Sequence, residues 1–255
     1  MADDALLSRV EDAGINASAP PQQRWMDGWI VRTSPGKAKR ARCINAVAAG
    51  QQPLDRKLAR AAAVYAEAGL PMVVRITRFS QPARLDDELA ARGFSSLDDT
   101  RVMVCTALPR RAGALPTGVV LEPMASADFA AEVGAMRESP PEQIRAHAER
   151  LASSPVPYRG WVLRRDGRVL ACGQTATEAD LVGLYDVFTR EEARGQGLAR
   201  LLCEHLLSQA ASGGAAIGYL QCEADNTPAR RIYHRLGFAD GYAYHYRQAP
   251  AGFAG

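Results

Sequence analysis

Apolar positions in this chain fall into two alternating patterns. Short runs rich in β-branched and aromatic residues occupy positions 25–32, 43–47, 72–76, 101–106, 119–122, 158–164, 168–174, 181–188, 216–223 and 242–247, and these predict strands. Between them lie segments with apolar residues at helical spacing, at 3–13, 54–68, 84–92, 126–136, 142–152, 198–211 and 229–236. Gly14, Gly69, Gly93 and Gly237 follow four of these helices as stop signals, and Ser126 is placed to cap the start of another. Asp166-Gly167 between two strand patterns is a strong hairpin signal, and residues 25–32 and 43–47 suggest another hairpin with basic residues near its turn.

The order from residue 119 onward is β-α-α-β-β-β-α-β-α-β. A Pro-, Gly- and Arg-rich stretch (A-L-P-R-R-A-G-A-L-P-T-G) precedes it, so residues 1–107 form a first domain, 108–117 a linker and 118–255 a second domain. The two halves share a faint repeat. Leu89-Ala90-Ala91-Arg92-Gly93-Phe94 echoes Tyr233-His234-Arg235-Leu236-Gly237-Phe238, each followed by a strand.

Two stretches carry chemistry. After the strand at 181–188 comes a charged turn, then Arg194-Gly195-Gln196-Gly197-Leu198-Ala199 opening a helix. Glycines at a strand-to-helix junction let the backbone approach a ligand. The first helical amides lack internal partners and sit at the positive end of the dipole, so they favour phosphate. A tight structural connection would use the same residues. The dinucleotide fingerprint is not matched, because Arg200 stands where its third glycine belongs, and no Walker Gly-Lys-Ser/Thr is present. The second stretch is Asn226-x-x-Ala229-x-x-x-Tyr233-x-x-x-Gly237-Phe238, a turn, a short helix and its stop.

Arg194-x-x-Gly197-x-Ala199 resembles the acetyl-CoA pyrophosphate loop of the GNAT superfamily of N-acetyltransferases, and the second stretch resembles that superfamily's N-x-x-A-x-x-x-Y-x-x-x-G-F signature. The likeness covers residues 118–247, and residues 1–107 look like a degenerate GNAT-like half without the loop or the Asn/Tyr pair. The resemblance implies an α/β GNAT fold in tandem arrangement, with a mixed central sheet and flanking helices. It implies a direct transfer from acetyl-CoA, as co-substrate, to a primary amine in a ternary complex. The pantetheine arm would enter between strands 181–188 and 216–223, held by the backbone of Val187, Phe188 and Thr189. The loop Arg194, Gly195, Gln196, Gly197, Leu198 and Ala199 would hold the pyrophosphate, and Asn226 and Tyr233 would complete the cofactor site.

A phenol with a pKa near 10 keeps its proton at neutral pH, so Tyr233 is the expected acid for a departing thiolate. Asn226 equally suits a helix cap. Glu223 is the candidate base, with Asp186 as its rival; a solvated carboxylate is the bland alternative for each. Cys222 should face away from Glu223 by strand alternation.

Composition narrows the alternatives. The 255 residues are 47% hydrophobic and 23% charged, ordinary for a soluble fold with a real core. Residues 1–116 carry 17 basic and 12 acidic side chains and residues 117–255 carry 14 and 16, without the dense basic cluster of a nucleic-acid binder. Lys37-Ala38-Lys39-Arg40-Ala41-Arg42 is a solvated turn or a rim for the nucleotide end of a cofactor. Trp25 and Trp29 are core anchors or the lining of a substrate groove. Five scattered cysteines without a C-x-x-C pair, four histidines without ligand spacing, an acidic N-terminus and no apolar run of membrane length point to a cytoplasmic protein without a metal. The expected partner is an amine-bearing small molecule or peptide. The competing function is a non-catalytic acyl-CoA-binding sensor or scaffold.

Overall fold

The computed structural model describes residues 2–253. The first half comprises α1 (Asp4–Ala17), β1 (Gln23–Met26), β2 (Trp29–Arg32), β3 (Ile44–Ala46), α2 (Leu54–Glu67), β4 (Val73–Thr77), α3 (Leu85–Ala91) and β5 (Ser95–Cys105). The second comprises β6 (Val120–Met124), α4 (Ser126–Met136), α5 (Pro141–Ser153), β7 (Tyr158–Arg165), β8 (Arg168–Glu178), β9 (Leu181–Thr189), α6 (Leu198–Ser212), β10 (Ile217–Glu223), α7 (Thr227–Arg235) and β11 (Ala239–Gln248).

Alternation of side chains gives every strand two faces, and helices cover the central strands of the sheet on both. Its strands run β1-β2-β3-β4-β11-β5-β10-β9-β8-β7-β6, parallel only at β3–β4 and β9–β10. One face packs on α1 through Leu7, Val10 and Ala13 against Val102, Tyr219 and Tyr242, and on α4 and α5 through Phe129, Val133 and Leu151. The other face packs on α2 and α3 through Leu58, Leu85 and Leu89, and on α6 through Leu202, Leu206 and Leu207. This is an α/β fold with a mixed central sheet.

The repeat acquires a structural meaning in the middle of the sheet. β5 and β11, the strands that follow the two Gly-Phe echoes, lie side by side and antiparallel. β11 also pairs with β4, and β5 pairs with β10, so each half donates its last strand to the other. A buried ion pair ties the same region together: Glu11 of α1 meets Arg75 of β4 and accepts from the Tyr242 hydroxyl of β11 at 2.5 Å.

Several expectations change on contact with tertiary structure. Residues 25–32 are not one strand but a hairpin, turned at Asp27-Gly28 with φ of 45° and 83°. Trp29 is therefore sealed in the core with Lys57 over its ring and lines no groove, while Trp25 on the outermost strand stays 71% exposed. Helix α1 continues past Gly14, because Ala17 is completely buried and the next turn still gains packing. Ser126 is the first helical residue and not the cap; Ala125 holds that position without a side-chain bond. No helix among the described residues is long and apolar enough to cross a membrane.

Candidate active site

The parallel pair β9–β10 opens into the site. Ile217–Leu220 pairs with residues 181–184, and there the ladder ends, although both strands continue. The cause lies on β9. Its register with β8 slips between Gln174↔Tyr185 and Cys172↔Phe188, so that Gly173 faces both Asp186 and Val187. Asp186 takes a φ of 49° at this bulge. An extra residue bends its strand and breaks pairing locally. β9 swings away from β10, and two chambers form on opposite sides of the gap. They share Val187, Asn226, Ala229 and Tyr233.

The first chamber, about 560 Å³, is lined by Val187, Phe188, Thr189, Arg194, Gly195, Gly197, Leu198 and Ala199 together with α7. Gly195 and Gly197 have φ of 76° and 75°, with only open space where a Cβ would project. Gly197 caps α6 without a side chain. Among the described residues, the six consecutive amides from Gly195 to Arg200 donate to no protein acceptor. Arg194 is 57% exposed and makes only a 3.4 Å contact to the Thr189 carbonyl and a 4.0 Å contact to Glu191. The Thr189 Oγ1 is buried in the same chamber without a partner. Such donors fit a pyrophosphate. Gln196 is exposed and contributes only its amide, and Leu198 sends its side chain into the core.

Tyr233 stands where the chambers meet, half-buried and edge-on to Phe238 at 6.1 Å. Burial pushes its phenol above the ordinary tyrosine value, and Cys203 and Cys222 add to this. Its hydroxyl makes no hydrogen bond among the described residues. Asn226 caps α7, its Oδ1 accepting from the Ala229 amide at 3.2 Å, which leaves its NH₂ group available toward the gap. Glu223 ends β10 as an exposed carboxylate in the second chamber, while Cys222 is buried on the opposite face as alternation requires.

That second chamber, about 570 Å³, is walled by Glu223, Gln221, Tyr185, Tyr244 and the basic segment from Lys37 to Arg42. Asp186 reaches it too, but its carboxylate is engaged. Arg137 donates to Oδ1 at 2.8 Å and Gln174 to Oδ2 at 2.6 Å, and the His147 Nε2 lies 3.3 Å from Oδ2. Burial alone would raise its carboxyl, yet the His147 contact and the Arg137 charge hold it well below the usual carboxylate range. A carboxylate so stabilised is a poor proton acceptor.

Residues 5–247 match the family described as "Probable histone acetyltransferase Rv0428c C-terminal". The chain belongs to this family, within the GNAT superfamily. It is 25% identical over 232 residues to the uncharacterized N-acetyltransferase YobR of Bacillus subtilis, covering 88% of this chain and 91% of YobR. Over 81 residues it is 31% identical to the [ribosomal protein bS18]-alanine N-acetyltransferase of Escherichia coli K12, a match to 32% of this chain and 55% of that enzyme. A GCN5-related N-acetyltransferase from Kribbella flavida has the same fold at a TM-score of 0.68 and 18% identity, over 96% of each chain. A tandem GNAT protein from the clavulanic acid biosynthesis pathway superposes at 0.65 and 15% identity, over 79% of this chain and 70% of that one. Acyl transfer is the general activity this membership carries.

Within this GNAT protein, the basic segment, read from sequence as a solvated turn or a rim for the nucleotide end of a cofactor, is a chamber wall. It faces the second chamber, and none of its residues lines the first. Arg137, His147 and Gln174, which fix Asp186, carry no sequence signal of their own. The one visible hint was an aspartate inside an otherwise apolar strand, where such a residue is depleted.

Proposed function

We propose that the chain transfers an acetyl group from acetyl-CoA to a primary amine by direct attack in a ternary complex. The observation that supports this most is the row of six unpartnered amides, Gly195 to Arg200, opening α6 beside the splayed strands. Acetyl-CoA would supply the activated acyl group. The loop and Arg194 would hold its pyrophosphate, and the edge of Val187, Phe188 and Thr189 that β10 leaves unpaired, with Asn226, would align the pantetheine arm. Glu223, exposed in the second chamber, would accept the ammonium proton at its carboxylate, directly or through water. A backbone N–H of β9 beyond the bulge would meet the developing oxyanion. Tyr233 would return a proton from its hydroxyl to the thiolate. The burial that keeps the phenol protonated also raises the proton affinity of a thiolate formed beside it. We further propose that residues 1–107 and 118–255, joined by 108–117, are two GNAT-like repeats of which only the second binds the co-substrate.

Titrating acetyl-CoA by calorimetry and measuring amine-dependent release of free CoA tests the proposal. Binding and turnover support it. Binding without turnover on a broad amine panel would identify an acyl-CoA sensor instead.

Two further outcomes are expected. Arg194→Glu should weaken acetyl-CoA far more than acetyl-pantetheine, which lacks the pyrophosphate, since each charge-assisted bond contributes about 1.5–3 kcal/mol. Equal losses for both ligands, by calorimetry, would mean that the loop has merely unfolded. The intact chain should bind one equivalent of acetyl-CoA. Residues 118–255 expressed alone should show a non-cooperative melt, because β10 and β11 would both lose their pairing with β5. A sharp transition in circular dichroism would contradict that dependence.

A further inference from the structure

The second chamber holds more positive than negative charge, and its distribution is uneven. Lys39 pairs with Asp98, and Arg137 with Asp186. Arg40 has no carboxylate partner among the described residues. Its Nη1 donates to the Tyr244 hydroxyl at 3.3 Å, its guanidinium carbon lies 5.9 Å from the centre of the Tyr185 ring, and its Nε is buried with no acceptor at all. Tyr244 supplies no carboxylate, and its hydroxyl donates in turn to the Gln221 Oε1 at 2.9 Å. Arg42 and Lys37 stand on the same wall, also without carboxylate partners among the described residues.

The guanidinium is held in place by structure outside the chamber. The Arg40 carbonyl accepts from the buried Arg32 at 3.3 Å, the short helical turn Lys39–Ala41 closes back on Ser34 through a 3.1 Å backbone bond, and the Lys39–Asp98 pair fastens the turn to β5. A partly desolvated cation, fixed and facing open space, is arranged to receive an anion.

The sheet sets its distance from the amine end. Glu223 of β10 is opposite Thr100 of β5, which is opposite Tyr244 of β11, so the three share one face and one row. Ordinary strand spacing puts Glu223 and Tyr244 about 10 Å apart at Cα. Glu223, the chamber's carboxylate without a cation partner among the described residues, and Arg40, held at the Tyr244 hydroxyl, therefore line the same chamber from the two ends of this row.

We propose that the acceptor is a compact amine bearing an oxyanion, carboxylate or phosphate, whose anionic group is bound by Arg40 while its amine lies toward Glu223. This rests on the acetyltransfer reading above. It disfavours polyamines and lysine-rich peptides, which would bring further positive charge against Arg40, Arg42 and Lys37.

The test compares matched amines with the acetyl-CoA-loaded full chain: β-alanine and its amide, phosphoethanolamine and ethylamine, and putrescine. The anionic member of each pair should be preferred by about 10–100-fold in kcat/KM. Arg40→Gln should bring that ratio close to one, and Arg40→Lys should retain part of it. Acetyl-CoA affinity, read in the opposite chamber, reports whether either variant is folded; if Arg40→Gln is not, the wild-type ratios and Arg40→Lys decide. β-Alanine preferred over phosphoethanolamine assigns a carboxylate, and the reverse assigns a phosphate. Neutral or cationic amines turned over as well as the anionic ones would overturn the inference and leave acetyltransfer standing. If no amine is turned over, calorimetry of β-alanine and phosphoethanolamine separates the two claims. Arg40-dependent binding keeps the anion site and removes the transfer reading, whereas no binding overturns both.

Discussion

Tyr233→Phe is expected to lower kcat by about 10²–10⁴-fold with acetyl-CoA affinity nearly unchanged, the usual contribution of a positioned general acid. That range corresponds to about 2.7–5.5 kcal/mol of transition-state stabilisation. The ring would keep its edge contact with Phe238, and no hydrogen bond of the resting protein would be lost among the described residues. A proton needed only by the departing thiolate affects the transition state alone, so kcat and kcat/KM should fall together. A raised KM with kcat intact would mean that the hydroxyl anchors the co-substrate in the ground state. Unchanged constants would make Tyr233 a packing residue and water the acid. Because burial keeps the phenol protonated, the pH profile should show no loss of activity from Tyr233 up to about pH 10, its ordinary value.

Glu11→Ala is expected to cost about 3–5 kcal/mol of stability, the penalty for leaving one member of a buried ion pair alone. The Arg75 side chain is only 4% exposed, and its guanidinium lies 4.1 Å from the centre of the Tyr244 ring, with Nε already unpartnered. Removing the carboxylate strands that charge and also deprives the Tyr242 hydroxyl of its acceptor. Urea unfolding of Glu11→Ala, Arg75→Met and the double variant measures the coupling. The double variant should recover part of the loss, since it leaves no buried charge unpaired. A loss below 1 kcal/mol for Glu11→Ala would show that water reaches the pair. The pH dependence has a definite sign. Burial raises the Glu11 carboxyl, but Arg75 lowers it further, so its folded value lies below the ordinary one. The stabilisation is complete above about pH 4.3, the unfolded glutamate value, and disappears as pH falls through the folded value.

Much of the second half was legible because its information is local. Helical and strand periodicities depend on residues a few positions apart, so β9, α6, β10 and α7 follow from the sequence nearly to their ends. The same holds for Arg194-x-x-Gly197-x-Ala199 and Asn226-x-x-Ala229-x-x-x-Tyr233. A loop that must present backbone amides and a helix that must aim one phenol are specified within a single turn and a single helix. The Asp27-Gly28 hairpin was equally local, and was obscured by the unbroken apolar run around it.

What remained hidden depends on pairings between distant segments. Nothing in the composition of β5 or β11 says that each crosses into the other half, because strand propensity is indifferent to which neighbour supplies the ladder. Asp186 looked like a free base until Arg137, Gln174 and His147 converged on it from other elements. Arg40 looked like one cation in a solvated run, yet its hydrogen-bond partner Tyr244 lies 204 residues away in the chain. The elements, the amide-lined loop and the phenol could be read along the chain because short-range sterics and hydrogen bonding set them. Which charges are neutralised and which face an open chamber emerged with the packing of distant segments, because a charge's state depends on the solvent and partners that folding brings to it.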